Sequence, residues 1–134
     1  MLIKLNEVFV QRHDNYTYIP IEHHPYYKSI KRKDRILYEG YIVKSFYQYS
    51  KPTSNWSVFY SLYKKIKKYG YNFFCDPIVI KRIGGRWVCL HGRHRICMLY
   101  HIYGPSVVMK TIDSIYVGSI EYNESYENIL SHIL

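Results

Sequence analysis

The sequence has few acidic residues, few cysteines and no long apolar run. Ten Asp and Glu stand against 19 Lys and Arg in 134 residues, which gives a net charge of +9 with histidine neutral. So basic a chain favours anionic partners such as a nucleic acid, a nucleotide or an acidic membrane face. No window approaches the roughly 18 apolar residues that a membrane span requires, and we therefore expect no membrane span.

The three cysteines, Cys75, Cys89 and Cys97, are odd in number and lack the C-x-x-C spacing of redox and zinc motifs. This pattern argues against a disulfide framework and against a zinc ribbon. The N-terminus reaches a lysine within four residues and has no apolar core of a signal peptide. We therefore expect a protein of the reducing cytoplasm that holds no structural metal.

The chain is long enough, and at 48% hydrophobic residues apolar enough, to bury a core of its own. It contains no internal repeat, no linker and no low-complexity tract. We therefore predict one domain over residues 1–134. Its alternation of short strand and helix patterns indicates the α+β class.

Hydrophobic periodicity and turn residues predict the elements of that domain. One helix is expected from Trp56, with Ser54 or Asn55 as its N-cap and Gly70 as its stop. Residues 21–24, between two prolines, are expected to be extended or turned. Residues 40–49 are either a strand or a packed loop, and the sequence does not decide between them. Strands are predicted over 2–10, 77–82, 86–90, 106–110 and 114–120, and further helices over 94–103 and 124–134.

Residues 28–35 form the densest basic run in the chain. Its cations are Lys28, Lys31, Arg32, Lys33 and Arg35. Such a run is either a solvated face or a landing surface for a phosphorylated partner, nucleic acid included. The sequence leaves both interpretations open.

The turn at residues 92–95, called the Gly92 turn below, carries the clearest functional signal. It joins a predicted strand to a predicted helix and consists of Gly92, Arg93, His94 and Arg95. A helix N-terminus with two guanidinium groups beside it is suited to bind phosphate. The alternatives are a solvent-exposed charge for Arg93 and a structural ion pair for Arg95.

The order of hairpin, Gly-x-His-Arg turn, helix, glycine and strand resembles the core of the ParB/sulfiredoxin superfamily. The matching residues are Gly92, His94, Arg95 and the helix-ending Gly104, and the likeness covers roughly residues 76–110. It implies a small mixed sheet flanked by helices. It also implies a loop that binds nucleotide phosphates, with ATP or CTP as the ligand together with Mg²⁺.

Two positions depart from that superfamily's pattern. His91 replaces the acidic residue that usually opens the signature, and an imidazole is a poor ligand for a hard cation. Arg93 stands where sulfiredoxins carry their cysteine, so sulfiredoxin chemistry is not expected. A kinase-type activity would need its acidic groups from elsewhere.

The candidate catalytic residues are Glu22 as a base and His94 on the turn. Glu22 lies in a conformationally restricted segment, although it could equally be an ordinary loop carboxylate. Asp76 before Pro77 is a second candidate base, and Asp34 is most simply an ion-pair partner within the basic run. His94, Cys97 and His101 share a helical face, and this spacing could hold a zinc ion. The alternative is that the three side chains simply pack against the rest of the domain.

Two functions follow from these features. The first is a nucleotide-phosphate-binding protein, with ATP-dependent phosphotransfer to a small sugar or amino acid as its enzymatic form. The second is a non-catalytic ParB-like protein, of phage or mobile-element type, that binds nucleic acid or acts as an adaptor. The sequence identifies neither the acceptor nor the oligomeric state.

Overall fold

A computed structural model describes residues 2–46, 55–71, 78–106, 108–112 and 115–120, with the backbone alone for 45, 46 and the last two ranges. The fold is α+β, as predicted. The strands are β1 Leu2–Lys4, β2 Val8–Gln11, β3 Tyr18–Pro20, β4 Val79–Ile83, β5 Arg86–His91, β6 Val108–Ile112 and β7 Ile115–Ile120. The helices are α1 Pro25–Arg32, α2 Arg35–Phe46, α3 Trp56–Tyr69 and α4 Arg93–Tyr103.

The described strands form one mixed sheet in the order β1-β6-β7-β4-β5-β2-β3. Strands β4 and β5 are joined at Gly84 and Gly85 as the predicted hairpin, and both glycines have positive φ. Strand β2 runs parallel to β5, with Val10 opposite Cys89. The loops that follow β2 and β5 therefore leave the sheet at the same edge.

The core lies between one face of the sheet and the helices. Val8 and Val10 alternate with Phe9 along β2 and are buried together with Ile80 and Cys89. Helix α4 supplies the centre of this core, because five consecutive residues from Ile96 to Tyr100 are buried. It packs against α1 on one side and against α3 on the other.

His24 joins the end of β2 to the start of α1. Its Nδ1 accepts a hydrogen bond from Tyr26 N at 3.1 Å, and its Nε2 lies 3.1 Å from Gln11 O. The ring is fully buried, and burial lowers its pKa to about 3, so it is neutral. Pro25 at the first helical position completes this N-cap.

The basic run at 28–35 spans the end of α1 and the start of α2. Lys33 ends α1 in the left-handed conformation, with φ 51° and ψ 48°. Asp34 was expected to be an ion-pair partner, but its Oδ1 accepts from Leu37 N at 3.0 Å and caps α2. Helix α2 also takes in residues 40–46, so neither the strand nor the packed loop considered for residues 40–49 is found in their described part.

The other expectations differ from the structure mainly at element boundaries. Helix α3 is capped by Asn55, whose Oδ1 accepts from Val58 N, and it ends at Gly70 as predicted. The strand expected over 2–10 is interrupted by a 3-10 turn at Leu5–Glu7. The helix predicted over 124–134 lies outside the described residues. Within the described ranges, none of the helices has the length and apolarity to cross a bilayer.

Candidate phosphate-binding site

Two loops meet beyond the carboxyl ends of the parallel strands β2 and β5. The first loop, residues 12–17, follows β2, and the second is the Gly92 turn after β5. Ligands in sheets with parallel strands bind at this edge, because the loops and helix N-termini converge there. The register of β4 and β5 shifts between Val79 and Ile80, and this irregularity lies directly before the turn.

Gly92 is required by backbone conformation and by packing. Its φ of +86° lies in the left-handed region that favours glycine. A Cβ at this position would lie 2.7 Å from Ile78 Cγ1 and 3.2 Å from Ile78 Cα. The absence of a side chain at Gly92 therefore makes room for Ile78 of the same chain.

Helix α4 begins at this turn without a side-chain cap. The Ile96 N–H bonds to Gly92 O at 2.9 Å, the first bond of the helix. The preceding N–H groups, those of residues 93–95, are the ones that a helix leaves without an intrahelical partner. They carry the positive end of the helix dipole.

Arg93 brings a poorly satisfied positive charge to the same place. Its side chain is half-buried, and its Nε is shielded from solvent with no hydrogen-bond acceptor in the described part of the chain. It also forms no ion pair with any carboxylate that the structure describes. A buried guanidinium nitrogen without an acceptor destabilises the protein unless an anion binds it.

His94 is turned inward instead of toward solvent. Its ring packs edge-on against Tyr26 at 4.2 Å between centroids and against Phe59 at 5.1 Å. Burial, followed by the charge of Arg95, lowers its pKa to about 4, so it is neutral at pH 7. Its Nε2 is buried and has no hydrogen-bond partner among the described residues.

The 12–17 loop contributes charged residues that the sequence analysis did not select. Arg12 donates from Nε to Asp14 Oδ1 at 2.9 Å, and this bond lowers the pKa of the Asp14 carboxyl. The loop is also held to α2, because His13 N donates to Tyr41 Oη at 2.9 Å. Burial and then the charge of Arg93, a residue of the Gly92 turn, lower the pKa of His13.

No local sequence motif predicts that the 12–17 loop belongs to the site. Its residues reach the Gly92 turn only through the parallel pairing of β2 and β5, which joins segments distant in sequence. The weak signal that could have found it is the close spacing of Arg12, His13 and Asp14 directly after a strand.

Glu22 lies apart from the turn. Its Oε2 accepts a hydrogen bond from Tyr100 Oη at 3.2 Å, and its side chain is 55% exposed. Tyr100 follows Arg93 by seven residues, about 10 Å along the helix axis. Of the predicted site residues, the structure brings together Gly92, Arg93, His94 and Arg95 but not Glu22, and Asp76 is outside the described residues.

The five predicted cations of the basic run are distributed over several elements. Lys28, Lys31 and Arg32 are on α1, and Lys33 follows it. Arg35, on α2, pairs with Glu39 at 3.0 Å. None of the described contacts joins these residues to the Gly92 turn.

The three helical residues considered for zinc have different environments. Cys97 is fully buried, and burial raises the pKa of its thiol. His101 lies 2.9 Å from Tyr63 Oη through its Nδ1, away from His94. Among the described residues, no three His, Cys, Asp or Glu side chains are grouped to hold a metal ion.

The fold and this site together define a basic α+β protein with a cationic helix N-terminus at the carboxyl edge of a mixed sheet. Comparison with family models, curated proteins and solved structures found no match to the chain. The order from β4 through the Gly92 turn and α4 to β6 follows the predicted layout of residues 76–110. Membership of the ParB/sulfiredoxin superfamily stays a prediction.

Proposed function

We propose that the Gly92 turn and the 12–17 loop bind the phosphate groups of a nucleotide such as ATP or CTP. The observation that carries the proposal is the buried Nε of Arg93, which lacks an acceptor among the described residues at the N-terminus of an uncapped helix. A phosphate oxygen would accept from this nitrogen and from the N–H groups of the first turn.

The surrounding charges support an anion at this position. Burial first, and then electrostatic interaction with Arg95, His13 and Arg93, lowers the pKa of His94, and a bound phosphate would offset the two guanidinium charges. Among the described ion pairs, the Asp14 carboxylate pairs with Arg12 and also lies 3.9 Å from the Lys44 ammonium group. A site with excess positive charge and low solvent access stabilises phosphate more strongly than an exposed cation does.

A shallow groove of about 280 Å³ adjoins the 12–17 loop and would receive the nucleoside. Arg12 and Asp14 form one wall, and Leu37, Gly40 and Tyr41 of α2 contribute to the other. The groove combines an aromatic ring, an aliphatic side chain and a few polar groups, as nucleoside sites do.

Phosphoryl transfer is a further step that we predict only from the superfamily resemblance. It would need Mg²⁺ and a base near the phosphate. Asp14 is the carboxylate that the described structure places at this edge, and Arg12 already engages it. Release of phosphate from ATP with Mg²⁺, with and without added sugars and amino acids, tests transfer separately from binding.

Nucleotide binding is tested with Arg93→Met. Methionine keeps the apolar volume of the stem and removes the unsatisfied guanidinium, so the ligand-free protein should melt at the same temperature or higher. Affinity for ATP and CTP in calorimetric titration should fall about 10- to 100-fold, the effect of losing a hydrogen bond to a charged group.

Arg82→Met is the matched control, because Arg82 is an exposed β4 residue whose guanidinium lies over Trp87. It should leave nucleotide affinity unchanged. Arg95→Ala should weaken binding as well. Unchanged affinity in Arg93→Met, or no nucleotide binding by the wild-type protein, would refute the proposal.

A further inference from the structure

A second basic surface lies about two helical turns from the Gly92 turn, where α1, α3 and α4 meet. We call it the three-helix basic surface and define it by Lys31, Lys33, Lys64, Lys67 and His101. We propose that this surface binds the phosphate backbone of nucleic acid, without dependence on base sequence. The inference is independent of the nucleotide site proposed above.

His101 is the point at which the three helices converge. Its ring lies 6.0 Å from the Tyr27 ring of α1, and its Nδ1 lies 2.9 Å from Tyr63 Oη of α3. The Tyr63 ring packs edge-on against the His101 ring at 5.4 Å between centroids, and the Nζ of Lys67 lies 5.9 Å from the Tyr63 ring centroid. After burial, the charges of Lys67 and Lys31 lower the pKa of His101.

Tyr60 gathers a second pair of lysines. The Nζ of Lys33 lies 5.6 Å from the Tyr60 ring centroid, and the Nζ of Lys64 lies 5.5 Å from it. Lys67 lies 5.9 Å from the Tyr63 ring. Tyr60, Lys64 and Lys67 are spaced i, i+4 and i+7 and therefore lie on one face of α3. The ammonium groups of Lys64 and Lys67 form a row along that face.

Acidic residues are missing from these helices. Pro25–Arg32 of α1, Trp56–Tyr69 of α3 and Arg93–Tyr103 of α4 contain no Asp or Glu. Of the described acidic residues, Glu22 accepts a hydrogen bond from Tyr100 of α4, and Asp34 uses its carboxylate to cap α2. The lysines are therefore spread over an exposed surface with little local neutralisation, which suits a polymer of regularly spaced phosphates.

Nucleic acid fits this surface better than a membrane does. A membrane-bound helix exposes apolar side chains between its lysines so that they enter the acyl region. Around the lysine row, however, Phe59, Tyr63 and Ile66 are buried in the core. The row thus offers charge and partly covered tyrosine rings, which is enough for phosphate contact.

The test compares two double variants of equal net charge. In Lys31→Gln/Lys67→Gln the two exposed lysines beside His101 are lost, and in Lys4→Gln/Lys81→Gln two exposed lysines of the sheet are lost. Binding of a fluorescent mixed-sequence DNA duplex is followed by anisotropy at several salt concentrations. The first variant should lower the slope of log affinity against log salt by about 2, since each phosphate contact contributes about 0.9.

The control pair should change that slope by less than half as much. Equal losses in both pairs would show a response to net charge and overturn the proposal, as would an absence of DNA binding by the wild-type protein. Loss of binding to phosphatidylserine vesicles in the first pair, with unchanged DNA binding, would assign the surface to membranes instead.

Two readouts separate this proposal from the nucleotide site. Lys31→Gln/Lys67→Gln should keep the wild-type affinity for ATP, and Arg93→Met should keep the wild-type salt slope for DNA. If the nucleotide site fails its own test, the DNA result still decides the three-helix basic surface. Full competition of duplex DNA by ATP at the affinity of the Gly92 turn would place both ligands in one site and refute a second surface.

Discussion

Gly92 and Gly40 occupy opposite environments, although both lie in or beside a helix. Gly92 has positive φ and packs directly on Ile78, so a side chain there would meet both strain and overlap. Gly40 lies inside α2 with no neighbouring atom within 4 Å of a Cβ built on it. The same substitution should therefore have opposite effects at the two positions.

We predict that Gly92→Ala destabilises the protein by about 2–4 kcal/mol, from the left-handed backbone together with overpacking. Gly40→Ala should stabilise it by about 0.5–1 kcal/mol, because alanine loses less entropy in a helix. Urea unfolding followed by circular dichroism measures both. An unchanged Gly92→Ala would contradict the packing described for the turn, and a destabilised Gly40→Ala would contradict the open space described beside α2.

At Arg93, a feature that lowers the stability of the protein is the one that we propose to serve ligand binding. A buried guanidinium nitrogen that finds no acceptor among the described residues weakens the folded state. An anion that binds only the folded protein would recover this free energy and raise the melting temperature. The phosphate that we propose to bind at the Gly92 turn would supply the missing acceptor.

At the scale of elements, Asp34 caps α2 by accepting from Leu37 N. We predict that Asp34→Ala costs about 1 kcal/mol of stability, whereas Asp34→Asn costs little, because asparagine caps as well as aspartate. If Asp34 acted mainly as an ion-pair partner of the surrounding lysines and arginines, both variants would lose similar stability. Denaturant unfolding of the two variants at low and high salt distinguishes these cases.

The elements whose signals are local were predictable from the sequence. Helix α3 has a cap, an apolar stripe and a glycine stop, and the β4–β5 hairpin has its Gly84–Gly85 turn. Helix α2 was not predictable, because Ile36 and Val43 are exposed while Tyr38 and Tyr41 are buried, which blurs the stripe. The interior Gly40 lowers its helix propensity further.

The candidate site also has one part that could be predicted from the sequence and one part that could not. The Gly92 turn is continuous in sequence and could be predicted, including the helix that follows it. The partnership with Arg12 and Asp14 depends on the parallel pairing of β2 with β5, a long-range contact without a local signal. The separation of Glu22 from the turn likewise depends on how α4 packs on the Ile21–His23 turn.

At the scale of the whole molecule, two basic places in the described structure are proposed to bind anions. One is the carboxyl edge of the sheet at the Gly92 turn, and the other is the three-helix basic surface, with α4 running between them. Two anionic ligands, a nucleotide and a nucleic acid, could then be bound at the same time. The mutual independence of the Arg93 and Lys31/Lys67 variants tests this arrangement.

Acid should destabilise the whole fold through its buried histidines. Burial lowers the pKa of His24 to about 3 and of His94 to about 4, from 6.5 in an unfolded chain. The unfolded state therefore binds protons that the folded state refuses, and stability falls as the pH drops below about 6.5. The loss continues down to about pH 4 for His94 and to about pH 3 for His24.

Between pH 6.5 and pH 5, each buried histidine should lower the free energy of unfolding by about 2 kcal/mol, at 1.4 kcal/mol per pH unit. Urea unfolding across this range measures the loss. His24→Asn should reduce the pH dependence by the share of His24, even though the variant starts less stable because it loses the contact with Gln11 O. His23→Asn is the control, since the His23 side chain is 61% exposed, and it should leave the profile unchanged. A wild-type stability that stays constant from pH 7 to pH 5 would contradict the burial of both rings, on which the junction of β2, α1 and the Gly92 turn depends.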